Sequence, residues 1–267
     1  MKKSLFLSTV VLSALVGGNA TADIAFTGSY AQNFDTLASS GTPAWANDST
    51  LPGWSLFNAL GAAVPTYTTG NGGTTTGSFY SFGATSSSER AFGGLASGGS
   101  YFGSPASGAL AGYIAVALQN TSGGSFDSFT ISFDGEQWRN GGNASAQTMQ
   151  LQYGFGATFA TVATWATPGG TFDWASPVAS TTAAAVDGNV AGLVASRGGT
   201  ISSLTWNNTE TLWIRWVENN DTGNDHGLAV DNFSITATSA PVPEPSVAAI
   251  LGGFGILGLF MAARQRK

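Results

Sequence analysis

Thr211-Leu212-Trp213-Ile214-Arg215-Trp216-Val217 decides the fold class. Leu212, Ile214 and Trp216 fall on one side of this run, and Trp213, Arg215 and Val217 on the other. That is the two-residue period of a β-strand. Phe126 to Phe133 repeats it, with Phe129, Ile131 and Phe133 opposed to Thr130 and Ser132. So do Tyr113 to Leu118, Thr148 to Tyr153, and Leu228 to Thr236, where Ala229, Asp231, Phe233 and Ile235 share parity. Gly, Asn or Asp bounds each run. Weaker strands are expected over Asp23–Ser29, Ser78–Phe82, Thr161–Trp165 and Gly199–Leu204. Residues 61–112, rich in Gly, Ser, Thr and Ala, read as long surface loops between short strands. The pattern has no internal repeat, so an all-β, antiparallel β-sandwich or jelly roll is expected for residues 23–239.

Composition narrows the function. The chain has 267 residues, of which 9% are charged, with no Cys and one His. A coiled coil needs more Lys, Glu and Arg. Disulfide scaffolds and Cys-ligated zinc are excluded. A sequence pI near 4.5 argues against nucleic acid as a partner. The formal charge of −6 blends unlike segments. Residues 23–239 carry four Arg, no Lys and fourteen acidic residues. Cations are therefore better partners for this part than polyanions.

Both ends read as addresses. Residues 1–22 have the parts of a signal peptide: Lys2 and Lys3, an apolar run from Leu5 to Val16, and Ala20-Thr21-Ala22 as a signal peptidase site. An uncleaved anchor is the alternative. Residues 240–267 contain Pro243-Glu244-Pro245, an apolar stretch from Val247 to Ala263, and basic Arg264, Arg266 and Lys267. As a helix the stretch is roughly 25 Å long, enough for a short transmembrane helix in the inner membrane. The basic end would stay cytoplasmic. Gly253-Phe254-Gly255-Ile256-Leu257-Gly258 fits a dinucleotide-binding pattern by chance, because no crossover unit follows it.

This tail resembles the PEP-CTERM sorting signal. The resemblance implies a Gram-negative bacterium that makes exopolysaccharide. It also implies processing by an exosortase and release to the cell surface or biofilm matrix. The alternative is a plain C-terminal anchor.

Oxygen donors are densest from Glu218 through Asp221 and Asp225 to Gly227, with Asp231 following inside the next strand. An unpaired carboxylate at the rim of an apolar face is costly. Glu218, Asp221, Asp225 and Asp231 are thus candidate ligands of a structural Ca²⁺. A solvated acidic hairpin, with Asp231 paired to an Arg, is the other reading. His226 suits a local hydrogen bond, and no G-x-S-x-G nucleophile elbow accompanies it.

Three of the four Arg lie beside Trp or Glu in charge-poor runs: Glu89-Arg90, Glu136-Gln137-Trp138-Arg139 and Arg215-Trp216. They read as partly buried structural ion pairs and stacks. Glu136 with Glu89 as a glycosidase pair is the enzymatic alternative. Trp138, Trp165 and Trp174 flank turns and are candidate exposed platforms for glycan stacking.

Ser87-Ser88-Glu89-Arg90-Ala91-Phe92-Gly93, Phe133-Asp134-Gly135-Glu136-Gln137-Trp138-Arg139, Val186-Asp187-Gly188-Asn189, Leu212–Trp216 and Asp225–Ile235 together resemble an uncharacterised module of bacterial secreted and surface proteins. The resemblance spans roughly 78–237 and transfers no catalytic role. The closing Ala229-Val230-Asp231-Asn232-Phe233-Ser234-Ile235 also resembles the last strand of jelly-roll binding domains, which implies a carboxylate near a cation. The expectation is a non-enzymatic surface or matrix protein. A carbohydrate-binding module is the alternative, and a secreted hydrolase using Glu136, Asp221 or His226 ranks third.

Overall fold

The computed structural model describes residues 23–239. The signal peptide, the Pro-Glu-Pro motif and the apolar tail lie outside the described residues. The strands are β1 (Ile24–Phe26), β2 (Ser29–Gln32), β3 (Trp54–Asn58), β4 (Thr68–Gly70), β5 (Ser78–Phe82), β6 (Ala91–Leu95) and β7 (Ala109–Asn120). They continue as β8 (Ser128–Asn140), β9 (Thr148–Phe155), β10 (Trp174–Ala175), β11 (Ala184–Ala185), β12 (Leu193–Ile201), β13 (Thr211–Asn220) and β14 (Gly227–Thr238). No α-helix occurs among the described residues.

Two sheets stack as a β-sandwich. The first runs β1-β7-β13-β9-β10, with β3 also on β7. The second runs β11-β8-β14-β6-β5-β4, with β12 on β8 and β2 on β14. Pairing is antiparallel except at two short strands, β1 with β7 and β4 with β5. The alternating residues meet between the sheets as expected. Leu212, Ile214 and Trp216 of β13 join Phe129, Ile131 and Phe133 of β8 in one buried cluster. At its centre Trp54 and Trp216 stack with centroids 5.8 Å apart, and Phe233 meets both rings edge-on. Offset stacking with edge contacts is the favoured geometry for aromatic quadrupoles.

Four expectations need correction. Thr161–Trp165 is not a strand; a 3-10 turn at Phe159–Thr161 overlaps its start. Asp23–Ser29 breaks at Thr27-Gly28, so β1 and β2 serve different sheets. Residues 61–112 hold the short strands β4 to β6 between loops, as expected, and also the start of β7, but β5 and β6 are buried along their whole length instead of lying at the surface.

The fourth correction concerns parity in β14. Leu228 and Val230 face the main core, as do Phe233 and Ile235 further along. Such a switch requires an extra residue. The register slips between Asp231 and Ser234, and Asn232 adopts a left-handed φ of 50°. This is a β-bulge, which inserts one residue and re-aims its neighbours. Ala229 and Asp231 therefore point to the opposite, outer face. Ala229 packs there with Tyr80, Phe82, Ala91, Leu95 and Trp138. The segments around Gly72 and Val186–Gly188 lie over Trp138, so this outer face is covered.

Candidate functional site

The outer face of the second sheet gathers three carboxylates. Glu136 comes from β8, Asp231 from β14, and Glu89 from the turn entering β6. One ligating oxygen of each lies within 4.8 Å of the others. β8 and β14 set two of them by register: Ala229 opposes Glu136, and Asp231 opposes Asp134. Glu136 is 1% and Asp231 3% exposed, and Glu89 is half-buried.

Two of the three are held from behind. Trp138 Nε1–H donates to Glu136 Oε2 across 2.9 Å, and Asn189 Nδ2–H donates to Glu89 Oε2 across 2.7 Å. Asp134 stands beside them and accepts from Ser196 N–H and Asn232 Nδ2. By contrast, Glu89 Oε1 and Asp231 Oδ1 are buried without a hydrogen-bond partner. Burial, then the charges of Asp231, Glu89 and Asp134, push the Glu136 carboxyl up to about 8 against the Trp138 hydrogen bond. Burial also pushes Asp231 to about 7, with Glu89, Asp35 and Asp134 adding.

The expected metal set is thus split. Glu218, Asp221 and Asp225 belong to the end of β13 and the turn after it, while Asp231 is turned to Glu89 and Glu136 by the bulge. Glu218 has the parity of Leu212, Ile214 and Trp216, so it points inward, toward Gly94. Its Oε1 lacks a partner, and burial raises its pKa well above the usual carboxylate range. Asp225 Oδ1 accepts from Asp221 N–H at 2.7 Å and closes the turn. Asn143 and Gln147 brace the turn further through the Asn224 carbonyl.

His226 is 2% exposed. Its Nε2 meets the Asn143 carbonyl at 3.1 Å and its Nδ1 meets Ser176 Oγ at 2.8 Å. A carbonyl can only accept, so Nε2 carries the proton in this arrangement.

The arginines find partners other than the expected carboxylates. Arg90 turns its guanidinium to the Ser81 hydroxyl and carbonyl. Arg139 Nη1 donates to the Gly72 carbonyl at 2.8 Å. Arg215 Nε donates to Gln152 Oε1 at 2.8 Å. The Arg215 guanidinium also sits between Tyr113 and Trp165, 4.0 and 3.7 Å from the ring centroids.

Two of the three Trp platforms are corrected. Trp138 lies under the covering loops, and Trp174 packs inward over Gly135, where a Cβ would meet its ring at 2.3 Å. Trp165 alone of the three is half-buried. The sequence pairs Glu89 and Glu136 with arginines, or with each other as a glycosidase pair, and assigns Asn189 and Asp134 no supporting role. The usable signal was the set of motifs itself. Ser87–Gly93, Phe133–Arg139, Val186–Asn189 and Asp225–Ile235 each contribute a residue to this one site.

No family model matches the chain, and no curated protein matches it significantly. Among solved structures it is similar to the CBM22-1 xylan-binding domain of Paenibacillus barcinonensis Xyn10C, at 8% identity and a TM-score of 0.35. That match covers 77% of this chain and 100% of the xylan-binding domain.

Proposed function

We propose that this chain is a non-enzymatic, exported cell-surface or exopolysaccharide-matrix protein, sorted through its C-terminal segment. The burial of the candidate acid–base groups Glu136 and His226 supports the non-enzymatic part. Glu136, Glu218 and His226 are buried and His226 has both ring nitrogens occupied. A cavity of about 450 Å³ is lined by Ser97, Arg139, Asn220 and Asp225, among others, but Glu136, Asp221 and His226 do not line it. A hydrolase needs its acid and base converging on a cleft. The export and sorting part rests on the resemblance of residues 243–267 to the PEP-CTERM signal. The test is incubation of the purified protein with soluble exopolysaccharides and assay of new reducing ends. None is expected, and turnover abolished by Glu136→Gln would overturn the reading. Mass spectrometry of protein released by the native host tests sorting: an intact C-terminus would count against exosortase processing.

Carbohydrate binding is a second reading, supported by the outer face of the first sheet. Tyr113, Phe159 and Trp165 surround Arg215 there, with Gln152 alongside. Half-buried rings beside an amide and a guanidinium suit the apolar and hydroxyl faces of a sugar. Affinity electrophoresis in polysaccharide gels should show retardation that Trp165→Ala removes. Equal mobility in every polysaccharide would exclude it.

A further inference from the structure

We infer that Glu89, Glu136 and Asp231 form a Ca²⁺ site on the outer face of the second sheet. Three observations converge. The first is spacing: three carboxylate oxygens lie within 4.8 Å of one another. Donors around a single ion with bonds of about 2.4 Å stand no more than about 5 Å apart.

The second is the state of the oxygens. Asp231 is 3% exposed, and its Oδ1 has no hydrogen-bond partner. Glu89 Oε1 is equally orphaned. A buried acceptor left without a donor bears its full desolvation cost, and a charged one bears more. Arg90 is near enough for its charge to act on Glu89, but its guanidinium donates to Ser81 and not to either orphaned oxygen. A bound cation would satisfy all three carboxylates at once.

The third is support from behind. One oxygen of Glu89 accepts from Asn189 and one of Glu136 accepts from Trp138, so neighbouring side chains fix both carboxylates in place. Fixing a ligand through its second oxygen is how outer residues orient metal-binding carboxylates. The donors are all carboxylate oxygens, a hard set that suits Ca²⁺ rather than Zn²⁺ or Cu²⁺. The site is distinct from the turn of Glu218, Asp221 and Asp225, and it adds to the proposed function rather than depending on it.

Terbium is a luminescent probe for such a site, since Trp138 stands beside Glu136 as a ready energy donor. The full chain, purified in mild detergent and stripped with EDTA, is titrated with Tb³⁺ under tryptophan excitation. Sensitised emission is expected, and added Ca²⁺ should compete it away while Zn²⁺ at equal concentration does not. Glu89→Gln and Asp231→Asn should each weaken Tb³⁺ and Ca²⁺ binding by roughly tenfold or more. Asp225→Asn should leave both unchanged. Melting of the unmutated protein supplies an independent reading: Ca²⁺ at a hundredfold excess over its Kd should raise Tm by about 5 °C or more over the EDTA sample. The absence of both emission and a Tm shift in the unmutated protein would overturn the inference. So would emission that survives in Asp231→Asn and Glu89→Gln but disappears in Asp225→Asn.

Discussion

The Trp138 indole N–H points at Glu136 Oε2 across 2.9 Å, from two positions along the same strand and on the same covered face. The ring also stacks on Phe82, with planes 2° apart and centroids 6.1 Å apart. One side chain thus roofs the outer cluster and holds a buried carboxyl. Trp138→Phe keeps an aromatic ring over Phe82 but removes the donor. Stability in urea should fall by about 1–3 kcal/mol, the cost of an abandoned buried acceptor. A change below about 0.5 kcal/mol would mean that Glu136 finds another donor.

Gly93 is required for a different reason. It sits in β6 between Tyr80 of β5 and Ala229 of β14. A Cβ there would stand 2.0 Å from the Leu228 carbonyl and 2.5 Å from the Ala229 side chain. Both neighbours belong to a central strand and cannot retreat. Gly93→Ala should destabilise by about 1–3 kcal/mol through overpacking. Gly124→Ala, where a Cβ would meet nothing within 4 Å, should fall within about 0.5 kcal/mol of the parent. Paired thermal melts decide, and equal Tm values for the two variants would contradict the packing described.

The β13–β14 turn makes stability depend on pH. Burial, with the charge of Asp221, raises Asp225 to about 7, against the Asp221 N–H hydrogen bond. An unfolded Asp titrates near 3.9. Between those values the folded chain keeps a proton that the unfolded chain has released. Stability from this group is therefore full below about pH 4 and is lost as pH rises toward 7, by at most about 1.4 kcal/mol per pH unit. Glu218, also raised, acts in the same direction. His226 acts oppositely: burial lowers its pKa, so its contribution is present above about 6.5 and is lost as pH falls. Asp225→Asn keeps an acceptor for Asp221 N–H without the charge. Its Tm should gain on the unmutated protein between pH 4 and 7, and parallel curves would show that Asp225 ionises normally in the fold.

The core strands were legible because period-two alternation is all that a half-buried strand needs. Leu212, Ile214, Trp216, Phe129, Ile131 and Phe133 face where their parity says. Glu218, read as the first oxygen donor of the turn, in fact continues β13 and aims inward by its parity with Trp216. Asp231 was not legible in this way. Its parity with Phe233 is overturned by one bulged residue, and an Asn before a Phe carries no local mark of a bulge. Trp138 and Trp174 were misread for a related reason. Turn residues beside them suggested exposure, yet the loops at Gly72 and Gly188 fold back over Trp138, and Trp174 faces the core. Covering of that kind comes from contacts far apart in sequence. Glu89 and Glu136 were noticed as charges in apolar surroundings, but pairing them with Asp231 required the register of β8 on β14.

Asn232 is the residue on which that register turns. Its φ of 50° lies in the left-handed region, which Asn and Gly tolerate and β-branched residues do not. Its side-chain amide also donates to Asp134 Oδ2 at 3.1 Å, tying the bulge to β8. Asn232→Gly retains the backbone conformation and loses only this exposed hydrogen bond, so stability should stay within about 0.5 kcal/mol. Asn232→Val must either hold a strained φ, at about 1–3 kcal/mol, or abandon the bulge. Abandoning it would bring Asp231 to the parity of Phe233, toward the main core, where a carboxylate has no place. Both routes predict a clear loss of stability for Val and little for Gly. Amide hydrogen exchange separates the two routes. Strain alone leaves protection in β14 beyond Phe233 at its original pattern, whereas a register shift changes which amides of Ser234–Thr236 are protected by β2 and β8. If Val were tolerated as well as Gly, the left-handed residue would not be what turns Asp231 outward.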